Sequence, residues 1–292
     1  MTPQTRPPTH PLTRTLTPAE IVTAVDWAIE EGWNAGLHDA ATFTAADPGA
    51  FFGSFAGDEL AAVVSVARHT PEQGFLGFYI CHPDRRGQGF GWAVWQAGLA
   101  RLPGATIGLD GVPAQQTNYA RSGFVLHHRN IRHVATLPAS ALAPPPTGTT
   151  LVDTLGPHSP LGPALAAYDA AITGHTRPAY LAAWLAQPDA ALRIAHRDGR
   201  ITGYALRRPC HGPAKIGPLM ADDPATAEAL FTALAAGQGP VTLDLPEPNA
   251  PARALAEAHD LIPVFETARM YRGPAPQLDL ARLWGVMSFE FG

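Results

Sequence analysis

A single lysine, Lys215, stands against 19 arginines in this 292-residue chain, and no run of like charges gathers the arginines into a patch. With a formal net charge of -5, the chain offers no basic stripe to a phosphate backbone or an anionic membrane, so neither nucleic acid nor a lipid surface is expected as a partner. A small-molecule substrate fits this balance better. Cysteine is also scarce: only Cys81 and Cys210 occur, which argues against a disulfide framework and points to a reducing, cytoplasmic setting. No stretch reaches the roughly 20 apolar residues of a membrane-spanning helix. The Thr- and Pro-rich segment Met1 to Pro18 has no apolar core of the kind an export signal needs, and its first ten residues are expected to be mobile. The abundance of Arg, Ala, Gly and Pro reads as codon bias, not as mechanism.

Against these absences, 46% of the residues are hydrophobic and only 15% charged, so the chain can bury a substantial core. Its length is close to twice a common domain unit of about 150 residues, which suggests two domains of similar size. Thr17-Pro18-Ala19-Glu20 supplies a helix N-cap, a proline at the first helical position and a glutamate that closes a capping box. The helix it opens is expected to stop at Gly32, and a second covers His38 to Ala46. Phe51 to Phe55, Leu60 to Arg68 and Phe75 to Cys81 read as strands of an antiparallel meander. A helix from Gly89 to Leu102, a strand at Thr106 to Leu109, a helix around Ala114 to Arg121 and a strand at Phe124 to Val134 follow.

Residues 137–148 contain Pro138 and Pro144-Pro145-Pro146 and suit an extended spacer. They divide the chain into a first domain at 11–136 and a second at 149–292. The second repeats the order in outline. A strand near Thr150 is followed by helices at Leu161 to Ile172 and Pro178 to Ala186, then by strands at Leu192 to His196 and Ile201 to Leu206. A helix at Ala225 to Ala236, a strand at Val241 to Leu245, a helix at Ala250 to His259 and a strand at Phe265 to Arg272 complete it. The expected class is α/β with mixed sheets, one fold used twice.

The stretch with chemical content runs from Phe75 to Gly91: an apolar strand, a Pro-bearing turn and Arg85-Arg86-Gly87-Gln88-Gly89-Phe90-Gly91 opening a helix. Its glycines remove side chains that would hold a ligand off the backbone, while free amides and the helix dipole favour an anion. About thirty residues later comes Asn118-Tyr119-Ala-Arg-Ser-Gly123-Phe124. Together, Arg86, Gly89 and Gly91 followed by Tyr119, Gly123 and Phe124 resemble the GNAT superfamily of acyl-CoA-dependent N-acyltransferases. The resemblance implies that Tyr79, Ile80 and Cys81 hold the pantetheine arm of acetyl-CoA or another short acyl-CoA. It implies that Arg85 to Gly91 wrap the pyrophosphate, with Asn118 nearby. Glu30-Glu31-Gly-Trp-Asn34, Asp39, Leu109-Asp110-Gly111, Tyr168-Asp169, Arg177, Gly217-Pro218-Leu219, Arg269-Met270 and Ser288-Phe289-Glu290 extend it to GNAT proteins with a second, degenerate GNAT-like domain, a group that includes holothin-type N-acyltransferases. Residues 216–225 lack the arginine and glycine triplet, so the second domain is expected to have lost the cofactor.

Direct acyl transfer in a ternary complex needs a neutral amine, a held thioester and a proton for the departing thiolate. Tyr119 is the candidate acid, and a backbone amide near Ile80 or Cys81 is placed to polarise the carbonyl. Glu31 is the candidate base beside Trp33 and Asn34, with Glu30, Asp39 or an ordered water as alternatives. Cys81 is either a nucleophile or a small core residue. Tyr168, Asp169, Arg177, Tyr180 and Trp184 form either an acceptor-pocket wall or ordinary helix core. Cys81-His82 and Cys210-His211 lack zinc-ligand spacing, so no metal is expected. The implied acceptor is a small molecule with a primary amine. An acyl-CoA sensor and a protein N-acetyltransferase are the alternatives, and the second domain is expected to shape the acceptor site or the interface of a homodimer.

Overall fold

The computed structural model describes residues 11–154 and 161–292; the first ten residues, expected to be mobile, lie outside them. The chain enters through β1 (Leu12–Thr15), a polar edge strand that pairs with β2 (Phe51–Ala56) and carries Arg14 over the Phe55 ring. The capping box then forms as the sequence suggests. Thr17 Oγ1 accepts from the Glu20 amide, Glu20 accepts from the Thr17 amide at 2.8 Å, and α1 (Pro18–Glu30) begins. After α2 (Asp39–Ala46), the meander of β2, β3 (Glu59–Arg68) and β4 (Gln73–Cys81) leads into α3 (Phe90–Ala100) and β5 (Thr106–Gly111), which runs parallel to β4. Pro113–Gln115 form a 3-10 turn, so α4 (Gln116–Arg121) is shorter than expected. The half closes with β6 (Val125–Thr136).

The second half follows with β7 (Thr149–Val152), α5 (Leu161–Thr173), α6 (Pro178–Leu185), β8 (Ala191–Arg197), β9 (Arg200–Arg208) and β10 (Ala214–Ala221). Then come α7 (Pro224–Ala235), β11 (Pro240–Pro246), α8 (Ala250–Ala258), β12 (Ile262–Arg272) and β13 (Leu283–Gly285). β10 is a strand that the sequence expectations did not include, and Gly217-Pro218 interrupts it. The strand accommodates them at an irregularity, where its register with β9 shifts between Ile216 and Leu219.

One mixed sheet joins both halves, in the order β1-β2-β3-β4-β5-β12-β6-β11-β10-β9-β8-β7. The last long strand of each half completes the sheet of the other: β12 lies against β5, β6 lies against β11, and β6 pairs with β12 from Ile262↔Val134 to Tyr271↔Val125. Side chains alternate across this sheet, so Val63 faces one core and Val64 another. The core on one face is shared between the halves: Phe43, Phe51 and Phe78 meet Tyr180, Trp184 and Phe291 there. On the opposite face α3 and α7 cover separate cores. Among the described residues, no helix is long and apolar enough to cross a membrane.

Candidate active site

β4 and β5 pair only from Gln73↔Thr106 to Leu76↔Leu109. Past that point β4 bends: Phe78 has a φ of 46°, and the β3–β4 register shifts between Val63 and Ser65. The β5-facing edge of residues 77–81 therefore lines a wedge-shaped cleft of about 610 Å³ in place of a sheet ladder. Leu76 to Cys81 form one wall, Leu109, Val112, Ala114, Gln115 and Tyr119 the other, and Glu31 and Arg86 stand at its rim.

The glycine-rich loop follows at once. Gly87 and Gly89 have φ of 75° and 89°, a left-handed conformation that side chains disfavour, and a Cβ on either would point into open space. Gly89 caps α3 without a side chain, so the first amides of that eleven-residue helix are left for an anion. At Gly91 a Cβ would come within 3.0 Å of the Tyr79 hydroxyl. Arg86 is held in place: Nε donates to the Cys81 carbonyl at 3.1 Å, and Nη2 pairs with Glu31 at 2.7 Å. Arg85 pairs with Glu59, and Gln88 donates to the Asp84 carbonyl. Open glycine backbone, free helix amides and two adjacent guanidinium groups fit a pyrophosphate; the unpaired edge of β4 fits an amide-bearing arm. Asn118 lies outside the cleft, exposed and bonded to Gln115 and Arg121.

Tyr119 is buried with its ring stacked on Trp95 at 5.5 Å. Gly111 makes room for it, since a Cβ there would meet the ring at 2.7 Å. Burial, with a smaller contribution from Tyr79, pushes the phenol well above its ordinary value, so it stays protonated and able to donate. Burial likewise raises the Cys81 thiol, outweighing the opposing pulls of the Gly91 backbone and Arg86. A thiol kept protonated is a poor nucleophile.

The far end of the cleft is built by both halves. Trp33 and Phe78 meet there with Asp110, Phe265, Thr267, Phe289 and Glu290. Asp110 is occupied, with Arg269 on both carboxylate oxygens at 3.0 and 2.6 Å and Asn130 at 2.8 Å. Glu31 is half-exposed in its pair with Arg86, and Glu30 is an exposed residue that does not line the cleft.

Four expected acceptor residues lie elsewhere. Asn34 bonds the Gly212 amide and the Pro213 carbonyl and so ties the halves together. Asp39 is buried against Arg208 and accepts from the Gly36 amide. Tyr168 donates to Asp222 and the Thr202 carbonyl. Arg177 pairs with buried Asp169 at 2.7 Å and donates to the Gly292 carbonyl. Tyr180 and Trp184 stack among Phe43 and Phe291 in the shared core. The reason is common to most of them: α5 and α6 pack their inner faces on β9 and α2, not on the wedge. Phe265, Thr267, Phe289 and Glu290, conversely, line the cleft although no site role was expected of them. The one local signal for the last two was an acid set among the aromatics of Ser288-Phe289-Glu290-Phe291.

The second half has the same wedge, filled. β10 and β11 pair from Ala214↔Val241 to Ile216↔Leu243 and then diverge. β13 enters the gap against β10, at Leu219↔Gly285 and Met220↔Leu283. Trp284 Nε1 donates to the Ala221 carbonyl at 3.0 Å, and the Val286 amide to the Asp244 carbonyl at 2.8 Å. Where the first half has glycines before its helix, the second has Asp223, whose side chain caps α7. A carboxylate thus stands at the helix start and an inserted strand occupies the gap, where the first half has open glycine backbone and an unpaired strand edge.

One open wedge with an anion-ready helix start and a protonated phenol defines an acyl-CoA-dependent transferase. Comparison with known proteins bears this out. Residues 18–124 match the description "Acetyltransferase (GNAT) family", and residues 165–285 match "Acetyltransferase (GNAT) domain". The chain is 31% identical over 272 residues to a holothin acyltransferase from Pseudoalteromonas sp. (strain SANK 73390), covering 91% of this chain and 90% of that one. A putative acetyltransferase from Pyrococcus horikoshii shares the fold along 100% of this chain and 99% of its own, with a TM-score of 0.80 at 19% identity. A tandem GNAT protein from the clavulanic acid biosynthesis pathway aligns over 91% of this chain and 99% of its own, with a TM-score of 0.62 at 16% identity. The protein belongs to the GNAT acyltransferase family, as an N-acyltransferase with two GNAT domains in tandem.

Proposed function

We propose that the enzyme transfers an acetyl group from acetyl-CoA to the primary amine of a small, flat molecule, by direct attack in a ternary complex. The observation that carries this reading is the aromatic lining at the far end of the cleft. Trp33, Phe78, Phe265 and Phe289 line it from both halves, an apolar aromatic surface suited to a small flat body. The related enzyme whose name gives holothin as its acceptor supports a small-molecule substrate. When bound, acetyl-CoA supplies an activated thioester.

The chain's own residues then act in order. The amides at the start of α3, with Arg85 and Arg86, would hold the pyrophosphate, and residues 79–81 would orient the pantetheine arm. A backbone amide near Ile80 or Cys81 polarises the carbonyl. Tyr119, kept protonated by burial, gives its proton to the departing sulfur. Glu31 fixes Arg86 at the rim. The raised Cys81 thiol favours direct attack over a covalent acyl-cysteine intermediate.

A thiol-release assay with acetyl-CoA against a panel of small alkyl- and arylamines tests the reading. Amine-dependent release is expected, and Tyr119→Phe should lower kcat about 100-fold with acetyl-CoA affinity unchanged. Saturable binding without release across the panel would instead identify an acyl-CoA sensor, and full turnover by Tyr119→Phe would remove its role as acid.

A further inference from the structure

We propose that Glu290, delivered to the cleft by the C-terminal tail, is the carboxylate that binds the acceptor's ammonium group and takes its proton. This rests on the acyltransferase reading above and assigns the base that Glu31, committed to Arg86, does not supply.

Three observations meet at this residue. Glu290 is buried yet lines the same cleft as residues 77–81 and Tyr119. Its Oε2 has no hydrogen-bond partner among the described residues, and its Oε1 lies 4.0 Å from Lys215 Nζ, an ion-pair distance but too long for a hydrogen bond. A buried carboxylate without donors is costly, and an alkylammonium entering the cleft would supply them. The position is also over-determined. Ser288 Oγ accepts from the Glu290 and Phe291 amides at 3.3 and 2.9 Å and is itself bonded to Tyr180. The Glu290 carbonyl lies so close to Gly77 that a Cβ there would fall within 2.1 Å of it. The tail thus fixes Glu290 directly over the β4 bend. Lys215, the chain's single lysine, donates to the Trp33 carbonyl at 3.1 Å and lies 4.0 Å from Glu290, while Arg132, paired with Asp244, and Arg208, paired with Asp39, add their charge to the surroundings of the same carboxylate.

The proton balance is complete. Glu290 removes one proton from R–NH3+, and the freed lone pair forms the N–C bond to the thioester carbonyl. As the C–S bond breaks, Tyr119 gives a proton to sulfur and is reprotonated from the second proton leaving nitrogen. Glu290 returns its proton to water, for a net release of one. The tail that plugs the wedge of the second half thereby equips the wedge of the first.

The experiment compares wild type with Glu290→Gln across every amine of the panel that wild type acetylates, with acetyl-CoA titration and near-ultraviolet circular dichroism as folding controls. With alkylamines, ammonium at pH 7, kcat/KM should fall about 100-fold or more. The loss should shrink below about tenfold with arylamines, which are neutral at pH 7, and should diminish for alkylamines as the pH is raised to about 9.5. Acetyl-CoA binding should be unchanged. A Glu290→Gln variant that binds acetyl-CoA and loses the same factor with alkyl- and arylamines at every pH would overturn the assignment, as would full activity. If Glu290→Gln fails to fold, Glu290→Gln with Lys215→Met, which removes both charges, takes its place under the same criteria. If wild type acetylates no amine, the acyltransferase reading and this assignment fall together.

Discussion

Gly77→Ala reports on the contact that joins β4 to the C-terminal tail. The added methyl would lie 2.1 Å from the Glu290 carbonyl oxygen and 2.8 Å from that residue's carbonyl carbon and Cα. Restoring an ordinary separation of about 3.4 Å requires the tail to retreat by about 1.3 Å. The tail cannot tilt freely, because Phe291 is stacked on Phe43 at 4.1 Å and Ser288 is bonded to Tyr180. The strain should lower stability by about 1–3 kcal/mol. Misplacing the site by about 1 Å should lower kcat/KM for the amine about 100-fold. Urea unfolding gives the first number and the thiol-release assay the second. Wild-type stability together with wild-type turnover would refute the placement of the tail against β4.

Gly89→Asp places a carboxylate and a Cβ where the start of α3 is open, at a φ of 89°; acetyl-CoA affinity should fall at least 100-fold in calorimetric titration while the fold is retained. Stability should fall with acidity below pH 6.5. Burial holds His69 and His128 at about 3 and His175 at about 4 in the folded protein. These groups bind protons more weakly when folded than when unfolded, so the unfolded state gains from protonation once the pH drops below the ordinary value, and the effect levels off near the folded value. At pH 5 this amounts to about 2 kcal/mol for each independent histidine. His69 and His175 face each other at 5.4 Å and will not add fully. The depressed carboxylates Asp169 and Asp244 act only below about pH 4. A urea midpoint that is flat from pH 7 to pH 5 would contradict these burials.

What was legible in the sequence was local. The capping box at Thr17, the loop from Arg86 to Gly91 and the pair Tyr119–Gly123 are each short patterns whose geometry is set by neighbours in the chain, and the folded structure keeps all three. The exchange of β6 and β12 was not legible, because alternation fixes which face a strand buries but not which strand it pairs with. Polar residues on apolar helices were ambiguous for a similar reason. Tyr168, Asp169 and Arg177 read equally well as a pocket wall and as a buried network, and only packing on β9 decides for the network. Glu290 lies more than 200 residues from the β4 bend it sits over. Its acid could be seen in an aromatic tail, but nothing local told where that tail ends.

The account rests on one wedge open and one filled, and the stoichiometry of acetyl-CoA binding measures this directly. Isothermal titration of acetyl-CoA into the intact chain should show one site per chain, lost in Gly89→Asp. Two sites would mean that β13 does not close the second wedge; no saturable binding would contradict the assignment of the cleft between β4 and β5.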